Sequence, residues 1–334
     1  MRKNLSVFFL GSLLLSTPKI FAETELDEHF SLLTDFVYMQ RYHVKNNPIV
    51  TDTTVTLCKG SDCTTTVLNT KSLVRNFEPG VSAIFSYIQN ATTSYELGGL
   101  YIWAMDNTST REGPGSLSYP FDNASFAKDF YGSDKISARY KSLFYTAEAN
   151  FWKTFSPTRY SSFVLSTLFG LRFANISEKF SVNSYKHGSH SSYDITAKND
   201  LIGIQVGIDF QIRLIKNFYW DLLLKAGADL NRISAKVFLG DLNNTVVLRN
   251  NTREKAQNGM FAQAAAGAGY QLADWLNVHI GYQMLFFGGL ALAPDQINRS
   301  SSELSPSAKV SSYKIAANGY IIVHGVYTGF VFSF

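Results

Sequence analysis

The groups able to do chemistry in this sequence are few and scattered. Six histidines (His29, His43, His187, His190, His279 and His324) and two cysteines (Cys58 and Cys63) are the candidates for metal ligation, proton transfer or nucleophilic attack. A structural zinc site needs four converging ligands. Cys58 and Cys63 flank Lys59-Gly60-Ser61-Asp62 and have no further His or Cys nearby to complete one. Val55 and Leu57 before that turn, and Thr64, Thr66 and Leu68 after it, alternate as a small hairpin would. In an exported chain the expectation is a Cys58–Cys63 disulfide across it, with a metal pair as the competing reading. His187 and His190 stand in the run HGSH, which is either a surface metal pair or a polar loop. No GxSxG, P-loop, HExxH or dinucleotide fingerprint occurs. The expectation is a chain that is not an enzyme, with no catalytic residue, no cofactor and no metal.

A second group of charged and amide side chains is spaced by two. In Asn199–Leu214, Gln205, Asp209, Gln211 and Arg213 share a parity, opposite Ile202, Ile204, Val206, Ile208, Phe210, Ile212 and Leu214. In Tyr219–Asn231, Asp221, Lys225 and Asp229 oppose Trp220, Leu222, Leu224 and Leu230. In Trp275–Leu285, His279 and Gln283 oppose Leu276, Val278, Ile280, Tyr282 and Met284, and Arg172 opposes Phe169, Leu171 and Phe173. A period of two is that of a β-strand, whose successive side chains point to opposite faces. A charge facing lipid at the midplane costs about 2–4 kcal/mol. The polar faces must therefore point inward or lie near an interface, and Arg172, Gln205, Asp209, Gln211, Arg213, Asp221, Lys225, Asp229, His279 and Gln283 are the candidates to line a lumen. They are either interior ion pairs that hold a barrel together or the lining of a conducting pore. His279 has the chemistry of a base, but no second residue is placed to use it.

The elements that must position these residues recur along the chain. Ten alternating runs are legible: 32–42, 80–89, 94–105, 136–152, 159–174, 199–214, 219–231, 259–272, 275–290 and 319–334. Short connections at 90–93, 153–158, 215–218 and 273–274 alternate with long polar ones at 43–79, 106–135, 181–198, 240–258 and 293–317. An even strand number and long connections at one end only match an outer-membrane barrel. The predicted fold is all-β, an antiparallel up-and-down transmembrane barrel of ten strands with long extracellular loops. The number rises to twelve if the cysteine hairpin or 106–135 enters the wall. Phe151, Trp152, Phe155, Tyr160, Phe218, Tyr219, Trp220 and Trp275 are the expected aromatic girdle near the short turns.

The two ends carry signals of export and assembly. Arg2 and Lys3, the apolar run Val7–Leu15 and the site after Ala22 read as a signal peptide over 1–22. Residues 23–334 are then the barrel domain. Removing Arg2, Lys3 and Lys19 from the formal charge of +4 leaves +1, so the balance gives no argument for a nucleic-acid partner. The last strand reads GYIIVHGVYTGFVFSF. Its even positions, Phe330, Phe332 and Phe334 among them, face lipid, with His324 the misfit. Leu32–Tyr42 must pair with it to close the wall.

Several stretches resemble β-barrel porin families of bacterial outer membranes, especially the BBP type. They are GGLALAPDQI (Gly288–Ile297), GLRFANISEKF (Gly170–Phe180), KNDLIGIQVGIDF (Lys198–Phe210) and Pro48-Ile49-Val50-Thr51. The chain is also similar to a legionella-type family of pore-forming barrels. The resemblance implies a bacterial outer-membrane barrel of porin type and transfers no catalytic residue. Phe334 resembles the C-terminal aromatic signal read by the barrel-assembly machinery, an expected partner beside outer-membrane lipid.

Three functions compete at this point: a porin-like pore for small solutes, a surface adhesion or interaction protein that displays loops to a host surface, and an outer-membrane hydrolase. Deleting Phe334 is expected to lower the amount of folded, heat-modifiable protein in the outer-membrane fraction. Normal insertion without it would contradict the assembly-signal reading.

Overall fold

The computed structural model describes residues 28–42, 46–52, 65–74, 76–122, 127–155, 162–215, 217–300 and 314–334. The expected signal peptide, Cys58, Cys63 and Tyr160 lie outside these residues. Twelve strands belong to one sheet. They are β1 (His29–Tyr42), β2 (Pro48–Asp52), β3 (Thr65–Asn69), β4 (Phe77–Asn90), β5 (Thr93–Ser118), β6 (Ser133–Phe155), β7 (Phe163–Lys186), β8 (Ser189–Ile215), β9 (Phe218–Asp241), β10 (Val246–Ala273), β11 (Leu276–Leu290) and β12 (Gly319–Ser333). Ten of these close a ring, through β1–β12, β1–β4, β4–β5, β5–β6 and the consecutive pairings from β6 to β12. All are antiparallel. β2 and β3 form a separate hairpin attached to the far end of β5 through Thr51–Ser118 and Asp52–Leu117. Of the expected ten to twelve strands, ten form the ring and the β2–β3 hairpin brings the sheet to twelve among the described residues.

Closure runs through the terminal strand. Ser31 pairs with Ser333, Asp35 with Gly329 and Tyr42 with Ile322. Phe30 and Phe334 exchange both backbone hydrogen bonds, at 2.9 and 3.0 Å. The C-terminal residue therefore completes the ladder with its backbone and leaves its ring exposed.

The predicted parity holds in the wall. Ile202, Ile204, Val206, Leu222, Ile280, Tyr282, Phe169, Leu171, Val326 and Phe330 are exposed on the outside. The opposite residues, including Gln205, Lys225, His279 and Tyr327, are buried inside. Trp152 and Tyr219 depart from the girdle expectation. Both carry the parity of Asn150 and Asp221 and point inward, where the Trp152 indole donates to the Glu96 carboxylate. Aromatic type alone did not reveal their side; parity does.

The long-loop expectation needs a larger correction. Residues 181–198 are two strands joined by a His187-Gly188 turn, 240–258 are mostly strand, and β5 continues to Ser118. β5 to β10 each run 23–28 residues, where about 9–11 suffice to cross a bilayer. β1, β4, β11 and β12 have only 14–15. The wall is thus tall over six strands and short over four. These extensions look like loops because their polarity is reversed. Past the lipid-facing band the outward residues of β8 are Lys198, Thr196 and Asp194, while Ala197, Ile195 and Tyr193 are buried inside.

The inner face of the tall wall covers a hydrophobic core. Ile195, Val182, Phe180, Ile233 and Val237 meet Ile49 and Val50 of β2, Leu68 of β3, and Tyr119, Phe121 and Phe130 from the segment after β5. Tyr119 lies 5.7 Å from Tyr193 and 4.7 Å from Phe121 between ring centroids. Burial raises the pKa of both Tyr119 and Tyr193. The 3-10 turn Lys128–Phe130 is fastened to the end of β9, because Asp241 accepts the N–H groups of Lys128 and Asp129 at 3.0 Å each. Phe130→Ala would empty a fully buried site and is expected to cost about 3–5 kcal/mol. Limited proteolysis should then cut the outer half while the heat-modifiable barrel remains; unchanged resistance would show that this core is not cohesive.

Candidate functional site

The interior of the ring is filled in layers, and each layer follows from the inward parity of the strands. The central layer is ionic. Glu148 of β6 accepts from Arg172 of β7 at 2.6 Å, from Lys225 of β9 at 2.6 Å and from Gln205 of β8 at 2.9 Å. Arg172 also donates to Gln263 at 2.6 Å and lies 5.0 Å above the Phe261 ring. Gln205 reaches Asn150 at 2.6 Å. Register explains the convergence: Glu148 pairs directly with Arg172, Arg172 with Gly203 and Gly207 with Lys225. Glycine at 207 leaves room for the Lys225 stem, and glycine at 98 for that of Glu148.

Three of the sequence candidates, Arg172, Gln205 and Lys225, therefore meet on one carboxylate that sequence reasoning did not single out. The signal was available. Glu148 stands alone between Ala147 and Ala149 in a strand whose inward parity runs Ser142, Phe144, Thr146, Glu148, Asn150 and Trp152. Free space beside Glu148 and Arg172 amounts to about 10 Å³, room for one water at most.

Towards the short turns the interior is polar and partly open. His279 of β11 meets Asp35 of β1 at 2.5 Å, across Gly329 of β12, the shared partner of both. Asp35 is a second residue that strand-by-strand parity did not single out. Asp221 approaches the Tyr327 hydroxyl over Gly267, which has no side chain to separate them. Asp209 and Arg213 are half-buried near the short-turn end, with Gln211 buried between them. Gln283 lies 3.5 Å from Gln263 and 3.8 Å from the Met39 sulfur. Asp229 stands apart, buried between Gly203 and Gly259, with no hydrogen bond to its carboxylate among the described residues. The ten candidates thus face inward, but they form two groups and a single residue rather than one site.

Towards the tall end an apolar layer closes the bore. Val37, Met39, Ile102, Phe144, Leu285, Phe287 and Ile321 pack together with Leu290 and Leu292. Above it the chain after β11 crosses the opening. Asn199 donates to the Ala291 carbonyl at 2.8 Å and accepts the Ala291 N–H at 2.9 Å, so its amide imitates a backbone partner. Asn231 reaches the Gly289 carbonyl at 2.8 Å. Glu178 accepts the Ala293 N–H at 2.8 Å and is ion-paired with Arg41. The run GGLALAPDQI is therefore the segment that caps the bore. A larger hollow, about 510 Å³, lies on the lipid side of the wall between Phe85, Tyr95, Phe151, Phe169 and Leu171.

The histidine turn is structural. The His187 N–H donates to Asp134 at 2.8 Å, and the His190 ring lies tilted against Tyr185, 4.9 Å between centroids, with its Nε2 3.3 Å from the Asn183 Oδ1. The N–H groups of His187 and Gly115 hold the Asp134 carboxyl below its ordinary pKa. His324 is half-exposed on the outside, hydrogen-bonded to Tyr282 at 2.5 Å, which accounts for the misfit on the lipid face.

No family model matches this sequence, and no curated protein matches it either. Among solved structures it is similar to the outer membrane protease OmpT of Escherichia coli, at 12% identity and a TM-score of 0.52, over 96% of this chain and 99% of that one. A FadL homologue of Pseudomonas aeruginosa matches at 7% identity and a TM-score of 0.30, over 92% and 90%. The toluene transporter TodX of P. putida matches at 10% identity and 0.30, over 92% and 89%. The first of these likenesses carries the fold: this is a β-barrel of the bacterial outer-membrane type. With its apolar outer band, it sits in the outer membrane.

Breaking a buried ion pair by removing one partner costs about 3–5 kcal/mol, whereas replacing the whole group by apolar side chains is often neutral. Glu148→Gln is therefore expected to lower the unfolding midpoint in detergent sharply, and E148M/R172M/K225M to restore most of it. Equal stability of Glu148→Gln and the native chain would refute this account of the ionic layer.

Proposed function

We propose that this chain is a non-catalytic surface interaction protein: a sealed outer-membrane barrel that holds an ordered half-barrel above the membrane. The observation that carries this reading is the filled bore, with the ionic layer on Glu148, the apolar layer around Phe144 and Phe287, and the 289–293 crossing stacked on one another. A permanently open solute pore would leave none of these layers in place. The tall strands also extend well past the length that a membrane requires, and their interior is a hydrophobic core rather than a water-filled mouth. Such an extension costs synthesis and folding and suits presentation of a rigid face to a partner, here a host or neighbouring cell surface.

The porin-like reading keeps one observation in its favour. One carboxylate oxygen of Asp221 and both of Asp229 lie inside the ring without hydrogen bonds among the described residues, as a water-lined path for small solutes would have them. It requires the apolar layer and the 289–293 crossing to move aside.

Planar-bilayer recording separates the two. The sealed-scaffold reading expects no ion steps from the purified chain, nor from N199A/N231A, because the ionic and apolar layers still fill the bore below the loosened crossing. It also expects cells producing the chain to adhere to host cells, and to lose adhesion when the β7–β8 tip, residues 183–192, is replaced by a short turn. Steps of regular size from the unaltered chain would instead establish the pore.

A further inference from the structure

The outward face of the tall wall changes character along one line. On β6 to β9 the last large apolar residues facing outward before the first cations are Leu143, Phe173, Ile202 and Leu230, with Phe238 outward again beyond them on β9. The outward positions just beyond them carry Arg139 and Lys141 on β6, Lys179 on β7, Lys198 on β8, and Arg232 and Lys236 on β9. Lys141, Lys179, Lys198, Arg232 and Lys236 are all exposed.

Register places three of these lysines in one row. Lys141 is the direct cross-strand partner of Lys179, Lys179 pairs with Thr196, and Thr196 pairs with Lys236. Directly opposed like charges destabilise a sheet unless something compensates them. The local carboxylates are mostly spoken for: Asp106 by Arg139, Asp200 by Lys198 at 2.8 Å, and Glu254 by Arg232 at 3.2 Å. Asp194 reaches Lys179 only at 3.6 Å. Lys141 also faces Asp106 across β5–β6, a carboxylate held by Arg139, and neither Lys141 nor Lys236 has an ion pair of its own among the described residues. Cations left over at the edge of an apolar band face the level where lipid headgroups begin.

We propose that the Lys141–Lys179–Lys236 row binds the phosphate of a phosphorylated lipid headgroup in the outer leaflet, whose acyl chains lie along the apolar wall below. The lipid supplies the anion that relieves the Lys141–Lys179 opposition. This goes beyond the surface-interaction reading and does not depend on it, since a pore would carry the same belt.

The test is native mass spectrometry of the full chain released from phosphatidylcholine micelles doped with a phosphorylated glucosamine-disaccharide lipid, or with its dephosphorylated form. The native chain is expected to retain the phosphorylated lipid and not the other. K141Q/K179Q/K236Q should retain about tenfold less, while K141R/K179R/K236R keeps native retention. Heat-modifiable mobility of each variant checks that it is folded. If the glutamine variant misfolds, the single exchange K236Q must lower retention on its own. Equal retention of the two lipids, or native retention by the folded glutamine variant, would overturn the proposal. So would complete displacement by inorganic phosphate, which would make the row a plain anion site.

Discussion

No backbone N–H or C=O can be left unpaired in hydrocarbon, and the rest of this molecule depends on that constraint. It forces the sheet to close, and so makes the last residue structural: Phe334 and Phe30 exchange the bonds that finish the ring. Closure in turn fixes which parity faces inward on every strand. The interior is then a place where polar side chains must satisfy one another, because neither lipid nor bulk water can do so.

The two halves of the chain solve that problem differently. Within the membrane the core is polar and the surface apolar, and Glu148 with its two cations stands where a soluble protein would have leucines. Beyond the membrane the same strands reverse, burying Ile195, Val182 and Val237 and exposing lysine and aspartate. Between them, the carbonyl and amide of Asn199 grip the crossing backbone at Ala291. That contact joins the polar lower interior to the apolar upper one and closes the bore at their boundary.

Much of this was legible in the sequence. The ten wall strands, their parity, the pairing of the first strand with the last and the inward direction of Arg172, Lys225 and His279 all follow from a period of two. What parity could not supply was partnership across distant strands. Glu148 and Arg172 are neighbours by register, but Lys225 reaches the same carboxylate from β9, a meeting that needs the curvature of the ring. Nor did the sequence reveal the extensions. A strand that leaves lipid for water exchanges its faces, and a reader tracking one apolar face sees the pattern stop at Asn199 when it has only turned over. Polar runs such as 181–198 then pass for loops.

The unequal strand lengths give the molecule a front and a back. On the side of β11, β12, β1 and β4 the wall ends after 14–15 residues, so nothing of that ladder overhangs the bilayer. On the side of β5 to β10 a stiff sheet stands above it. A neighbour drifting in the membrane can come flush against the low side, whereas the high side holds neighbours off and is itself the first part of the chain to meet anything arriving from outside. Rotation about the membrane normal, which would be immaterial for a symmetric barrel, therefore decides what this one touches.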